Sequence, residues 1–220
     1  MQILKTIFVT TLLFVAACST EQAPERDPAA VAAPDTFSAA IAEDVMANGG
    51  NAVDAAVAVG LSLAVTLPEA GNIGGGGFML IHFDGQAQFV DYRERAPYAA
   101  HRDMYLDEER NVIKNASRVG HLAVGVPGTV AGLWSAHQRF GKLPWKDLVA
   151  PAIKLARDGF PVPELLAHNT ERTGPRFAGK TNFDSYFGGL QGGEIHVQEE
   201  LARTLERIAE HGPDGFYKGE

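Results

Sequence analysis

The sequence predicts an α+β fold. Three observations carry that expectation: a pair of helical segments, an antiparallel hairpin after them, and a further series of helices bounded by Pro and Gly. The hairpin is the sharpest signal. "FMLIHF" and "QAQFVDY" flank Asp84-Gly85, a dipeptide favoured in two-residue hairpin turns, which predicts strands over Phe78–Phe83 and Gln86–Tyr92.

Taken in order, "PDTFSAAIAEDVMANGGN" reads as a helix. Asp35 can cap it, and Phe37, Ile41 and Val45 recur four apart on one face. Gly49 and Gly50 stop it, because glycine reaches the left-handed region without a Cβ clash. Asn51 then caps "AVDAAVAVGLSLAVT", which is apolar nearly all round apart from Asp54 and should be a buried helix ended by Pro68. Its fifteen residues are too few to span a bilayer, which takes about 20. "GVPGTVAGLWSAHQRFG" predicts a helix with Pro127 at its start and Gly141 past its end. "LPWKDLVAPAIKLARDGF" is helical with a kink or break at Pro151. Gly174 to Gly193 is glycine-rich and reads as loop. "VQEELARTLERIAEHG" is an amphipathic helix, with Val197, Leu201, Leu205 and Ile208 in one stripe and Gly212 as its stop. The closing "GPDGFYKGE" is polar and turn-like, and the expectation is of an incomplete gene product.

Residues 1–18 stand apart. Lys5 is the only charge before the uncharged, mostly apolar run Thr6 to Ala17, and Val15-Ala16-Ala17-Cys18 follows. A basic start, a short apolar stretch and small residues make a secretory signal. The chain's single cysteine at its end resembles a bacterial lipoprotein signal, whose cleavage leaves Cys18 as a lipidated N-terminus. The expected location is extracytoplasmic or periplasmic, membrane-anchored. Residues 19–33, rich in Ala, Pro and charge, read as a flexible tether, and the fold is expected over 34–220.

Composition excludes some functions. The 220 residues carry 19 Lys and Arg against 27 Asp and Glu, a net charge of -8, with no basic run. Non-specific nucleic-acid binding needs a basic face that displaces counterions, so it is not expected. The seven histidines are scattered with no i, i+4 pair and no H-E-x-x-H, so no metal site is expected, and no motif calls for a cofactor.

Four glycines, Gly74 to Gly77, suggest a phosphate cradle, but the order is wrong. A phosphate loop follows a strand and opens a helix; here the order is helix, glycines, strand, with Phe78 next and no Lys-Ser or Lys-Thr. The reading left is structural: bare backbone for close approach or for an unusual entry into a strand. Beyond the strand stand two guanidiniums. Asp91, Arg93 and Arg95 share one face if the strand runs that far, so parity cannot choose between Arg93 and Arg95.

"NGGNAVDAAVAVGLSLAVTLPEAGNIGGGGFMLIHFDGQAQFVDYRERAP", "GVPGTVAGLWSAHQRFGKLPW", "PAIKLARDGFPV" and "HGPDGFYKG" occur in that order. Together they resemble the N-terminal half of a γ-glutamyltransferase, also called glutathione hydrolase, over roughly Pro34 to Gly219. The resemblance implies an N-terminal nucleophile hydrolase fold, a four-layer αββα sandwich of which this chain holds only the large-subunit part. It implies a precursor that cuts itself into large and small subunits and frees a threonine. That hydroxyl attacks the γ-glutamyl amide, with its own α-amine available as general base, and the glutamyl ester passes to water or to an amino acid or peptide. No cofactor is implied.

The family's substrate-carboxylate arginine lies in a D-x-R-E-x-A-P stretch. Here that is Asp91-Tyr92-Arg93-Glu94-Arg95-Ala96-Pro97, which assigns the role to Arg93 and leaves Arg95 as an ion-pair partner. A planar guanidinium can grip a carboxylate with two charge-assisted bonds. The family's nucleophilic threonine, oxyanion glycines and ammonium-binding acids are absent; the only Thr-Thr pair is Thr10-Thr11, inside the signal. No catalytic residue is therefore assigned. Ser62, Ser117, Thr129 and Ser135 have no base near in sequence, and the chain alone is expected to be inert. The alternatives are a non-catalytic lipoprotein that binds small amino acids, and a related acylase acting on cephalosporin or poly-γ-glutamate.

Overall fold

A computed structural model of the chain describes residues 29–219. The signal segment, Cys18 and all but the last residues of the tether lie outside that range.

Helix α1, Thr36–Ala47, begins where Asp35 turns the chain. Its Oδ1 accepts from the Ser38 amide at 2.7 Å and the Ser38 hydroxyl at 2.8 Å, and its Oδ2 accepts from the Thr66 hydroxyl at 2.7 Å. The cap therefore also ties α1 to the far end of the next helix. Val45 is buried, Phe37 and Ile41 pack against the core, and Gly49 takes φ 92° just past the end. Helix α2, Ala52–Thr66, is the centre of the molecule: Val57, Ala58, Leu61 and Val65 are fully buried, and α1 and the later helices pack around it.

The one charged side chain buried in α2 is satisfied. Asp54 is fully buried and closes a capping box with Asn51, accepting the Asn51 amide at 2.9 Å. It also accepts the amides of Lys142 at 2.9 Å and Leu143 at 3.4 Å, while Asn51 donates to the Phe140 carbonyl at 2.7 Å. A single carboxylate thus caps α2 and staples to it the loop after α3, Thr129–Phe140.

Strands β1, Phe78–Phe83, and β2, Gln86–Asp91, pair antiparallel from Phe83↔Gln86 to Phe78↔Asp91. Asp84 and Gly85 take φ 48° and 74°, both positive as the turn chemistry requires. Ile81 and Val90 face the core; Phe78, Leu80 and Phe89 face outward and are exposed. One more pair follows, with the Tyr92 amide bonded to the Gly77 carbonyl at 3.0 Å.

Helix α4, Trp145–Asp158, runs through Pro151 without the break that the sequence suggests. It packs on α7, Glu199–His211, and Trp145 donates to the Ile208 carbonyl at 2.9 Å. Other expectations need correction. Pro127 lies before α3, whose N-cap is Gly128. Helix α5, Glu164–Thr173, was not expected, and α6, Phe183–Phe187, lies inside the stretch read as loop; there Phe183 stacks on Phe177 and meets Phe187 at a tilt, apolar contacts that the glycine count does not show. Val197 precedes α7 and is exposed, so only the stripe from Leu201 onward faces inward. A short helix α8, Asp214–Tyr217, replaces the expected turn.

A second, short sheet pairs β3, Phe160–Pro161, with β4, Ile195–His196. His196 meets the edge of Phe160 at 6.0 Å and lies 5.9 Å from Phe187, and its buried Nε2 has no hydrogen-bond partner among the described residues. Burial pushes this imidazole below its ordinary pKa. The unfolded chain then binds a proton below about pH 6.5 that the folded chain refuses, so stability is full above that pH and is lost as pH falls toward the lower folded value. Hydrogen exchange at the Val162 and Gly193 amides, which close this clip, is expected to show the loss between pH 7 and 5 after correction for intrinsic rates. His196→Phe should flatten the dependence; equal slopes in the two proteins would count against it.

Candidate active site

The glycine stretch and Arg93 are two parts of one construction. None of Gly74 to Gly77 has a positive φ, so an unusual turn is not what demands them. Space is. A Cβ on Gly76 would stand 2.5 Å from the Tyr92 carbonyl oxygen and 2.9 Å from the Arg93 Cα, and one on Gly77 would stand 2.9 Å from the Tyr92 ring. From the other side Gly128 lies against the Tyr92 carbonyl and Gly132 against its ring, too close for any side chain. The backbone at Tyr92-Arg93 therefore runs in a slot walled by glycines from two distant parts of the chain. Burial raises the Tyr92 phenol above its ordinary pKa.

The start of α3 is used up internally. The Gly75 carbonyl accepts the Gly128 and Thr129 amides at 2.7 and 3.1 Å. The Tyr217 hydroxyl accepts the Ala131 amide at 3.3 Å and donates to the Pro127 carbonyl at 2.9 Å. Gly75 thus serves through its carbonyl, and Gly76 and Gly77 through close approach, the backbone role that the order helix, glycines, strand suggests.

Arg93 leaves this slot where the ladder ends. Its amide donates to Asp91 Oδ1 at 3.0 Å, which turns the chain out of strand geometry, so the parity argument stops one residue before it would matter. The side chain is 62% exposed, with Nε bonded to Glu94 Oε2 at 3.0 Å and Cζ 5.6 Å from the centre of the Phe78 ring. The Glu94 carboxyl is held below its usual range first by its own backbone amide, then by Arg93, with the Gly76 amide adding. Arg95 departs from expectation. Its backbone pairs with Val126, at 3.1 and 2.7 Å, but its side chain has no carboxylate within 4.0 Å among the described residues.

Ser62 is buried and donates to the Ala58 carbonyl at 2.8 Å, and Thr129 is buried at the start of α3. Among the described residues no group of three or more His, Cys, Asp or Glu is gathered to hold a metal, and no helix is long and apolar enough to cross a membrane. The sequence reading missed the contacts of Glu94 and Phe78 with Arg93. The only signal for them is adjacency across the β1–β2 pairing, Phe78 opposite Asp91.

The family model for gamma-glutamyltranspeptidase matches residues 38–220. The chain belongs to this family. As a γ-glutamyltranspeptidase family member it is 56% identical over 204 residues to the glutathione hydrolase proenzyme of Pseudomonas aeruginosa, covering 93% of this chain and 37% of that protein. It is 48% identical to the glutathione hydrolase proenzyme of Escherichia coli, over 86% of this chain and 34% of that one. Among solved structures, gamma-glutamyltranspeptidase from Pseudomonas nitroreducens complexed with L-DON superposes with a TM-score of 0.86 at 57% identity, over 89% of this chain and 58% of that one. The chain thus spans a little over a third of the length of these curated relatives. Its fold is the N-terminal nucleophile hydrolase fold expected from the sequence, present in part.

Proposed function

We propose that this chain is the N-terminal part of the large subunit of a self-cleaving γ-glutamyl hydrolase or transferase, acting on glutathione and related γ-glutamyl compounds. In this reading Arg93 grips the α-carboxylate of the glutamyl group, and a threonine beyond residue 220 supplies the nucleophile. The observation that carries it is the guanidinium at the end of β2: exposed, held at Nε, and free at both Nη groups of any hydrogen bond among the described residues. Two parallel N–H donors at one edge match a carboxylate. Family membership and the identity to proteins named glutathione hydrolase support the chemistry. The proposal extends to Cys18 as a lipidated N-terminus outside the cytoplasm, which rests on the residues before it.

The test uses the full-length precursor. It is expected to separate into two bands on a denaturing gel and to release nitroaniline from γ-glutamyl-4-nitroanilide but not from the α-glutamyl isomer. A folded precursor that binds glutamate yet stays as one band without turnover would replace the enzyme with a binding protein. In the same preparation, fatty-acid labelling should be lost in Cys18→Ser, and labelling that persists would remove the anchor.

A further inference from the structure

We propose that Glu94 and Phe78 are positioning residues that hold the Arg93 guanidinium with its Nη edge turned out toward a carboxylate. The inference rests on the reading of Arg93 as the carboxylate-binding residue.

Neighbouring residues in a strand point to opposite faces. Glu94 nevertheless reaches Arg93 Nε at 3.0 Å, because the ladder ends at Tyr92 and the Arg93 amide is captured by Asp91 Oδ1. That turn has no slack. A Cβ on Gly76 would stand 2.8 Å from the Glu94 amide nitrogen, and one on Gly125 would stand 2.9 Å from the Glu94 Cβ. The Glu94 amide and Cβ are thereby held between two glycines, which fixes where its side chain starts.

The ring of Phe78 supplies the second restraint. The Arg93 Cζ lies 5.6 Å from its centre, within the range of a cation–π contact. Phe78 is itself stacked on Phe89, 5.5 Å between centres and 23° between planes, so the ring has a backing. Nε is occupied, one face is covered, and both Nη groups make no hydrogen bond among the described residues.

Stability does not explain this arrangement. An ion pair this exposed, with side chains 62% and 35% accessible, contributes little to folding. Orientation does explain it. A long arginine side chain at a strand end loses rotamer freedom when it grips a ligand, and restraints already made in the free protein lower that loss. Glu94 also occupies Nε and so closes the Nε/Nη side of the guanidinium, which could itself take a carboxylate with two bonds. The geometry therefore selects the end-on approach to the two Nη groups, and with it a substrate that carries a carboxylate at that place.

The test compares two substrates of the self-cleaved, full-length protein: γ-glutamyl-4-nitroanilide and 4-aminobutyryl-4-nitroanilide, which lacks only the α-carboxylate. Glu94→Ala and Phe78→Leu are each expected to raise KM for the first by about tenfold with kcat within about twofold, misplacement of a binding group having effects of up to about a hundredfold. Both should leave kcat/KM for the second substrate unchanged, and Glu94→Gln, which keeps an acceptor oxygen, should fall between wild type and Glu94→Ala. A variant that merely loosens the fold would depress both substrates together, which would overturn the proposal. If Glu94→Ala fails to self-cleave, Glu94→Gln decides alone: an unaltered preference for the carboxylate-bearing substrate refutes the role. Arg93→Ala separates the two levels. Should it leave the preference intact, the reading of Arg93 fails; should it abolish the preference while the Glu94 and Phe78 variants do not, only the positioning role fails.

Discussion

Arg93→Ala in the full-length precursor is expected to raise KM for γ-glutamyl substrates by roughly 30-fold to several thousand-fold, the factor for losing one partner of a hydrogen-bonded charge pair at about 2–5 kcal/mol. The reason is local. The guanidinium contributes an edge of paired donors, and nothing else described near it is cationic with the same reach except Arg95, whose backbone is fixed against Val126. The contact with a substrate carboxylate forms before the amide is attacked and persists through the reaction, so the loss should fall on KM more than on kcat. Arg93→Lys should recover only part of it, because an ammonium cannot make the planar two-bond contact. The side chain lies outside the core, so folding and self-cleavage should proceed in both variants. A folded Arg93→Ala enzyme with wild-type KM would overturn the assignment.

The second large effect is on stability. Asp54→Ala is expected to cost about 3 kcal/mol, since it removes a fully buried carboxylate and strips acceptors from the part-buried amides of Asn51, Lys142 and Leu143. Asp54→Asn should cost about half as much. One oxygen remains, but an NH2 group now faces a backbone N–H. The measurement is urea unfolding of the full-length protein, following the transition that reports on the Trp134–Trp145 pair, 5.0 Å apart and close to the stapled loop. A loss below about 1 kcal/mol for Asp54→Ala would show that water or a rearranged loop replaces the carboxylate.

Local chemistry was legible where it acts at short range. Asp84-Gly85 dictated the hairpin and its register, and Asn51 marked the start of α2, although the part Asp54 plays in that cap was not read. The burial of α2 followed from its composition. What could not be read depends on contacts between distant residues. Gly132 is bare because the Tyr92 ring lies on it, and forty positions of sequence between them carry no sign of that. The strand ends within a residue of the Tyr92 expected, but period-two parity does not carry on to Arg93 and Arg95, because Asp91 captures the Arg93 amide, a competition between side chain and ladder that such a pattern does not register. The short helix α6 in glycine-rich sequence accompanies contacts of Phe183 with Phe177 and Phe187, and the stripe of α7 was extended one turn too far, to Val197. At the site, Arg93 came from a motif, whereas Glu94 and Phe78 came only from distances.

The slot around Tyr92 has a bearing on how this protein can be redesigned. Where a polypeptide segment is lined by residues without side chains, its neighbours hold no reservoir of variation: every library member at Gly76, Gly77, Gly128 or Gly132 begins with an overlap rather than a new contact. Searches for altered substrate preference are better aimed at Phe78 and Arg95, whose side chains are exposed and can be exchanged without displacing the strand that carries Arg93.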